Sequence, residues 1–178
     1  RIAEVVRDRE CEVVVNVQGD EPLIAPENID RVVRPLLENA IESTVTLRIL
    51  IKSCEELMDR NVTKVVVDNS NSALYFSKAP IPWDRDKWGG DSIEYSSFDP
   101  LKSFWYKHIG LYAYRKKFLM GFGSLPDSGL EKIEKLEQLR ILEGGFKIKV
   151  VETNIDSIGV DCEADLAIIE KHLAAVLP

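Results

Sequence analysis

The stretch Val13–Ile24, VVVNVQGDEPLI, decides the fold. Its first residues are β-branched on either side of Asn16, the composition of a buried strand. A strand that merely completes a core stops at a turn of small polar residues. This one stops at Gln18-Gly19-Asp20-Glu21-Pro22, a glycine flanked by an amide and two carboxylates. In an open α/β sheet, ligands bind beyond the carboxyl ends of strands, and Asp20 stands at such an end. Gly19 carries no side chain to keep a ligand away. Taken alone, Asp20 is equally a hydrogen-bonding turn residue. With Gln18 and Glu21 it forms a set of oxygens suited to a hard cation such as Mg²⁺.

Outward from this strand, short apolar runs alternate with helical patterns. Strands are expected at 12–17, 44–50, 63–68, 73–77, 104–114 and 147–152, and helices at 27–39, 54–59, 116–122, 129–143 and 163–175. Pro26-Glu27 and the 161–163 segment read as helix starts, and Gly144-Gly145 as a helix stop. The alternation implies a single α/β domain over 1–178, with a mixed, mostly parallel sheet and helices on both faces. The polar segment 82–103 is a long loop, and loops of that length usually carry function or move. The chain opens at Arg1 without Met, and Ile2–Val6 reads like the middle of a helix, so a preceding segment is expected.

Composition narrows the function. A 178-residue chain with 45% hydrophobic residues builds one core. No apolar run approaches the ~20 residues that span a bilayer, so no membrane insertion is expected. A net charge of −7 argues against nucleic acid as the main partner. Cys11, Cys54 and Cys162 form no CxxC and no even set, which fits a reducing cytoplasm and neither a disulfide framework nor a zinc site.

Several side chains could carry chemistry. Asp161, in SIGVDCEADL, follows an apolar stretch and precedes a helix. It is either an N-cap or a second strand-end carboxylate able to share a metal with Asp20. On a continuous helix over 129–143, Glu137 falls on the stripe of Leu130, Ile133 and Ile141, where an acid is costly unless paired or facing a ligand. Gln138 edges that stripe. Strand alternation puts His108, Gly110 and Tyr112 on one face, a plausible polar wall. Lys78 and Arg85 flank PIPWD and could hold an anion, or be plain surface charges. Trp83, Trp88 and Trp105 suit packing or an interface. No GxSxG, HExxH, P-loop or GxGxxG occurs, which weakens hydrolase, zincin, Walker-type ATPase and dehydrogenase readings.

Taken in order, VNVQGDEPLI, YFSKAPIPWDRD, KHIGLYAYR, LEKIEKLEQLRIL and IGVDCEADL resemble the 3-deoxy-manno-octulosonate cytidylyltransferase (CMP-Kdo synthetase) family over nearly the whole chain. The resemblance implies a Rossmann-like nucleotide-diphospho-sugar transferase fold and a cytoplasmic homodimer. It implies transfer of CMP from CTP to the acidic sugar Kdo, with release of diphosphate, for lipopolysaccharide assembly. Asp20 and Asp161 then match catalytic Mg²⁺ ligands. Gln18, His108, Tyr112, Glu137 and Gln138 match the Kdo pocket, Arg85 a basic residue near the sugar acid, and Arg1 the end of a nucleotide-binding stretch. Lys78 departs from the family's usual Arg and lacks its bidentate fork. The family's N-terminal phosphate loop has no counterpart here, so the chain is expected to be the C-terminal portion of the enzyme. Two alternatives stay open: a cytidylyltransferase for another acidic sugar, such as 8-amino-Kdo or a sialic acid, and an inactive dimerisation or binding module.

Overall fold

The computed structural model describes residues 1–88, 104–157, 159–160, 166 and 169–170. The elements run α1 (Ile2–Val6), β1 (Val13–Val17), α2 (Pro26–Glu38), β2 (Thr44–Leu50), α3 (Cys54–Met58), β3 (Lys64–Val67), β4 (Ala73–Ser77) and α4 (Arg85–Trp88). They continue through β5 (Tyr106–Arg115), α5 (Lys116–Phe122), α6 (Gly129–Glu134), α7 (Leu139–Glu143) and β6 (Lys149–Glu152). The expected strands all form within a residue or two of their sequence bounds. Asp161, the expected helix at 163–175 and most of the 82–103 loop lie outside the described residues.

The strands form one sheet in the order β4-β3-β5-β2-β6, with β1 also paired to β5. This is the mixed α/β architecture implied by the alternation, with one correction to the expected balance of pairings. Among the described strands only β2 and β6 pair in parallel; β5 is antiparallel to β1, β2 and β3, and β3 to β4. The reason is where β5 sits. The strands β1, β2, β3 and β6 all share one direction, but the long reversed β5 slots between them.

That insertion creates the feature on which the site depends. One edge of β5 pairs with β2 from Tyr106 to Tyr114. Its other edge is divided: β3 takes Tyr106 and Lys107, and β1 takes Leu111 to Arg115. At His108–Gly110 the two partners part. The β2–β5 register slips there as well, from Thr46 opposite Tyr112 to Leu47 opposite Ile109. A sheet whose neighbours diverge opens a crevice at the point of divergence.

Each face of the sheet buries its own core. Val32 and Leu36 of α2 pack on Val45, Leu47, Ile49, Ile109, Leu111 and Ala113. The opposite face buries Phe76, Tyr112, Ile148 and Val150 beneath Leu136, Leu139 and Ile141. Period-two alternation along β5 therefore sends Ile109, Leu111 and Ala113 to α2, and Tyr112 to the other side. Asn28, fully buried in α2, donates to the Ile155 carbonyl at 3.0 Å and accepts from the Thr153 hydroxyl at 2.7 Å. This pair fixes the segment after β6 against the crevice.

The expected single helix over 129–143 is broken. Lys135 adopts a left-handed conformation (φ 59) and ends α6, and α7 begins only at Leu139. Ile133 is 81% exposed, whereas Leu136, Leu139 and Ile141 are buried. The break follows from tertiary bonds on α6. Glu134 accepts the Ser77 hydroxyl at 2.6 Å and the Lys78 N–H at 3.0 Å, anchoring α6 to the end of β4. Glu131 takes both Nε and Nη2 of Arg140, at 2.6 and 2.9 Å, and so folds α7 back onto α6.

Candidate active site

The crevice is a cleft of about 920 Å³. Gln18, Asp20, Lys78, His108, Tyr112, Glu137 and Gln138 all line it, although the sequence separates the first from the last by 120 positions. Gln18 and Asp20 arrive on the loop after β1, Lys78 at the end of β4, and His108 and Tyr112 on the face of β5 that points away from α2. Glu137 and Gln138 arrive because the helix breaks: they occupy the turn between α6 and α7.

Two sequence candidates stand elsewhere. Arg85 is exposed on α4 and does not line the cleft. Arg1 lines a second cavity of about 320 Å³ with Tyr114 and Glu137, so Glu137 forms the boundary shared by the two. Asp161 lies outside the described residues. Its chain neighbour Val160 donates its backbone N–H to the Asp20 carbonyl at 2.7 Å. Trp88 and Trp105 pack, as expected, stacking at 5.0 Å, with the Trp105 indole N–H donating to the Pro82 carbonyl; Trp83 lies edge-on to Trp88 and is exposed.

Glu21, next to Asp20 in the chain, also lines the cleft. Glu21 accepts hydrogen bonds from the Ser157 hydroxyl and the Gly110 backbone N–H. Burial still pushes its carboxyl above the ordinary value, helped by the nearby Asp20 and Asp156. Lys107 links the other side, donating to Glu56 at 2.7 Å and Asp156 at 2.9 Å. Burial opposes the Lys107 charge, but the two carboxylates outweigh it and the pKa rises. The sequence held a signal for Glu21, adjacent to Asp20, and none that paired Lys107 with residues 49 and more positions away.

His108 is a strongly shifted residue of the cleft. Burial, with the Lys78 charge adding to it, pushes the imidazole down to about 3. The Thr46 hydroxyl lies 2.9 Å from His108 Nε2 and 2.9 Å from the Leu111 carbonyl. A hydroxyl has one proton, and a carbonyl can only accept it. Thr46 therefore donates to Leu111 and accepts from Nε2–H, leaving Nδ1 as the imidazole's acceptor. Tyr112 stands 5.2 Å from the His108 ring and is 4% exposed; its hydroxyl is buried without a hydrogen-bond partner among the described residues. Such an orphan costs stability unless a ligand completes it.

Charge in the cleft is lopsided. Asp20, Glu21, Asp59, Glu137 and Asp156 face Lys78, Lys107 and Lys135. The Lys78 ammonium is engaged, donating to the Asn61 carbonyl at 2.5 Å. The Asp20 side chain is exposed and makes no hydrogen bond or ion pair among the described residues. No group of three or more His, Cys, Asp or Glu able to hold a metal occurs among the described residues. The free carboxylate of Asp20 nevertheless has the oxygen chemistry that a hard divalent cation requires.

The crevice at this divergence in a mixed sheet, walled by acids and by alternate residues of one strand, is the candidate active site. The chain belongs to the cytidylyltransferase family, which it matches over residues 1–148. Within that family it is similar to 3-deoxy-manno-octulosonate cytidylyltransferases. It is 47% identical to that of Pelobacter propionicus over 99% of this chain and 68% of the relative. It is also 47% identical to that of Geobacter metallireducens, over 96% of this chain and 67% of the relative. The fold matches a CMP:2-keto-3-deoxy-manno-octonic acid synthetase complexed with CTP, with a TM-score of 0.84 and 32% identity over 99% of this chain and 67% of that one. A 4-diphosphocytidyl-2C-methyl-D-erythritol synthase from Anaerococcus prevotii, 16% identical with a TM-score of 0.54, shares the fold alone. The chain thus spans about two thirds of the length of these relatives.

Proposed function

We propose that the protein transfers CMP from CTP to the 2-hydroxyl of Kdo, giving CMP-Kdo and diphosphate. The observation that carries this reading is the convergence on one cleft of Gln18, Asp20, Lys78, His108, Tyr112, Glu137 and Gln138. These come from four of the five segments that resemble the Kdo cytidylyltransferases. The fifth, IGVDCEADL, reaches the same place through the bond from Val160 to Asp20. Family membership and the CTP-bound structural relative support the nucleotide. The wider setting of this reading is a cytoplasmic homodimer serving lipopolysaccharide assembly.

Both substrates are anions, and the cleft is rich in acids, so the reading includes Mg²⁺ held by Asp20 and Asp161. When bound, the cation neutralises phosphate charge and lowers the pKa of an attacking hydroxyl. The protein's own residues do the positioning. Tyr112 O–H and His108 Nδ1 offer one donor and one acceptor to sugar hydroxyls, and Gln18, Glu137 and Gln138 fix the orientation of the ring. Lys78 presents a single charge, not a fork, to the sugar carboxylate. His108 orients and does not act as a base, because an imidazole pushed down to about 3 is a poor proton acceptor near neutrality. Holding the 2-hydroxyl in line with the α-phosphorus then supplies most of the acceleration.

The test is diphosphate release from CTP with Mg²⁺ and a panel of Kdo, 8-amino-Kdo and a sialic acid. Release with Kdo at the highest kcat/KM supports the reading. Preference for another acidic sugar moves the substrate and keeps the class, and no release with any of them favours the inactive dimerisation or binding module for this chain.

A further inference from the structure

One buried cation takes no part in the chemistry above. Lys64, on β3, has no solvent-exposed surface. Its ammonium donates all three hydrogens to backbone carbonyls: Asp59, Val62 and Lys78, each at 2.7 Å. Those carbonyls belong to the cap of α3, the loop before β3 and the end of β4. The same segments bring Asp59, Asn61, Val62, Thr63 and Lys78 into the cleft. Lys78 closes the circuit from above by donating to the Asn61 carbonyl.

We propose that Lys64 is the positioning residue for the sugar-side wall of the cleft, holding Asn61, Thr63 and Lys78 in place through its three carbonyl bonds. This rests on the assignment of Lys78 to the acidic sugar.

The physical case is one of economy. Burying an ammonium without a carboxylate in contact is costly. The charged groups around Lys64 are otherwise occupied. Asp59 accepts the Asn61 N–H at 2.8 Å, Glu134 the Ser77 hydroxyl and Lys78 N–H, and Lys107, across the strand pair, is held by Glu56 and Asp156. A methionine would fill the same volume without that cost, so the three bonds are what Lys64 adds. Burial depresses its pKa to about 8, with the Lys78 charge helping and Asp59 and Glu134 opposing. A neutral amine keeps only two N–H donors, so one of the three carbonyls is released above that pH.

The test compares the wild-type protein with Lys64→Met in diphosphate release. We expect KM for the acidic sugar to rise about tenfold, and KM for CTP to stay within about twofold. In the wild type, sugar KM rises as pH passes about 8, and in the variant it is flat there. Equal changes in both KM values, or the same alkaline rise in the variant, would overturn the proposal. If Lys64→Met does not fold, hydrogen exchange on the wild type decides. After correction for the intrinsic rate, peptides over 59–64 lose protection between about pH 7 and 9.5 while α2 keeps its own; unchanged protection over 59–64 overturns the proposal. Exchange needs no substrate, so failure of the sugar assignment, seen as no turnover by the wild type, is distinguishable from failure of the role given to Lys64.

Discussion

The backbone N–H of Val160 donates to the carbonyl of Asp20 at 2.7 Å, joining two loops separated by most of the chain. The bond makes the end of β1 and the segment after β6 one structural unit at the mouth of the cleft. Asn28 secures the same unit from below through Thr153 and Ile155. The Asp20 side chain is left out of that scaffold, exposed and unbonded among the described residues. Asp20→Asn should therefore leave melting unchanged within about 2 °C while lowering kcat at least about 100-fold. Diphosphate release and a thermal scan on the same preparation check both halves. A variant keeping most of its activity would remove Asp20 from the metal site.

The orphaned hydroxyl of Tyr112 gives a prediction of the opposite kind. The ring is packed with His108 and Tyr114, and the oxygen is buried without a partner among the described residues. Tyr112→Phe keeps the packing and deletes an unsatisfied group, so the free protein should be as stable as wild type or slightly more so. If the hydroxyl is completed by a sugar oxygen, KM for Kdo rises about 5- to 30-fold, the cost of one ligand hydrogen bond. Rising stability with unchanged KM would mean that the sugar does not reach Tyr112.

His108 and Lys64 give stability the same sign of slope against pH, a rise with pH, in two separate windows. The folded pKa of His108 is about 3, below its ordinary 6.5. Its contribution is complete above about 6.5 and is lost as pH falls towards 3, where the unfolded chain is protonated and the folded one is not. Lys64, at about 8 against 10.5, penalises the folded state fully below about pH 8, and this penalty is relieved as pH rises towards 10.5. Denaturant titrations should show His108→Gln flattening the acid limb between about pH 3 and 6.5. Lys64→Met should flatten the rise between about pH 8 and 10.5. The alkaline loss of sugar affinity proposed above would then occur while the global contribution of Lys64 improves, which separates wall loosening from unfolding.

How much of this was legible in the sequence depends on the distance over which each interaction acts. The strands were legible because β-branched runs and period-two alternation are local, and alternation correctly placed Tyr112 opposite Ile109 and Leu111. The position of Asp20 just beyond a strand end was legible from the contrast between VVVNV and QGDEP. The antiparallel majority was not, since β5 divides its edge between β1 and β3 through pairings that no window of sequence contains. Lys64 was equally hidden: within TKVVVD it reads as an outward lysine, and only its pairing in the interior makes it a donor to three carbonyls. Glu137 reached the cleft for a different reason from the one its spacing suggested.

That last difference can be tested directly. A continuous helix over 129–143 would bury Ile133 on the stripe with Glu137, whereas the observed break exposes 81% of Ile133 and sets Glu137 in a turn. Ile133→Lys should therefore cost less than about 0.5 kcal/mol, as for an ordinary surface change. On a continuous helix, burying a charge at that position would cost several times more. Lys135 holds the break at φ 59, a conformation that glycine adopts freely and other residues adopt at a cost of about 1 kcal/mol. Lys135→Gly should accordingly leave stability unchanged or raise it, whereas glycine inside a helix would lower it by about 1 kcal/mol. Urea melts of the two variants give the sign in each instance. Destabilisation of both would restore the continuous helix and withdraw Glu137 and Gln138 from the turn that faces the cleft.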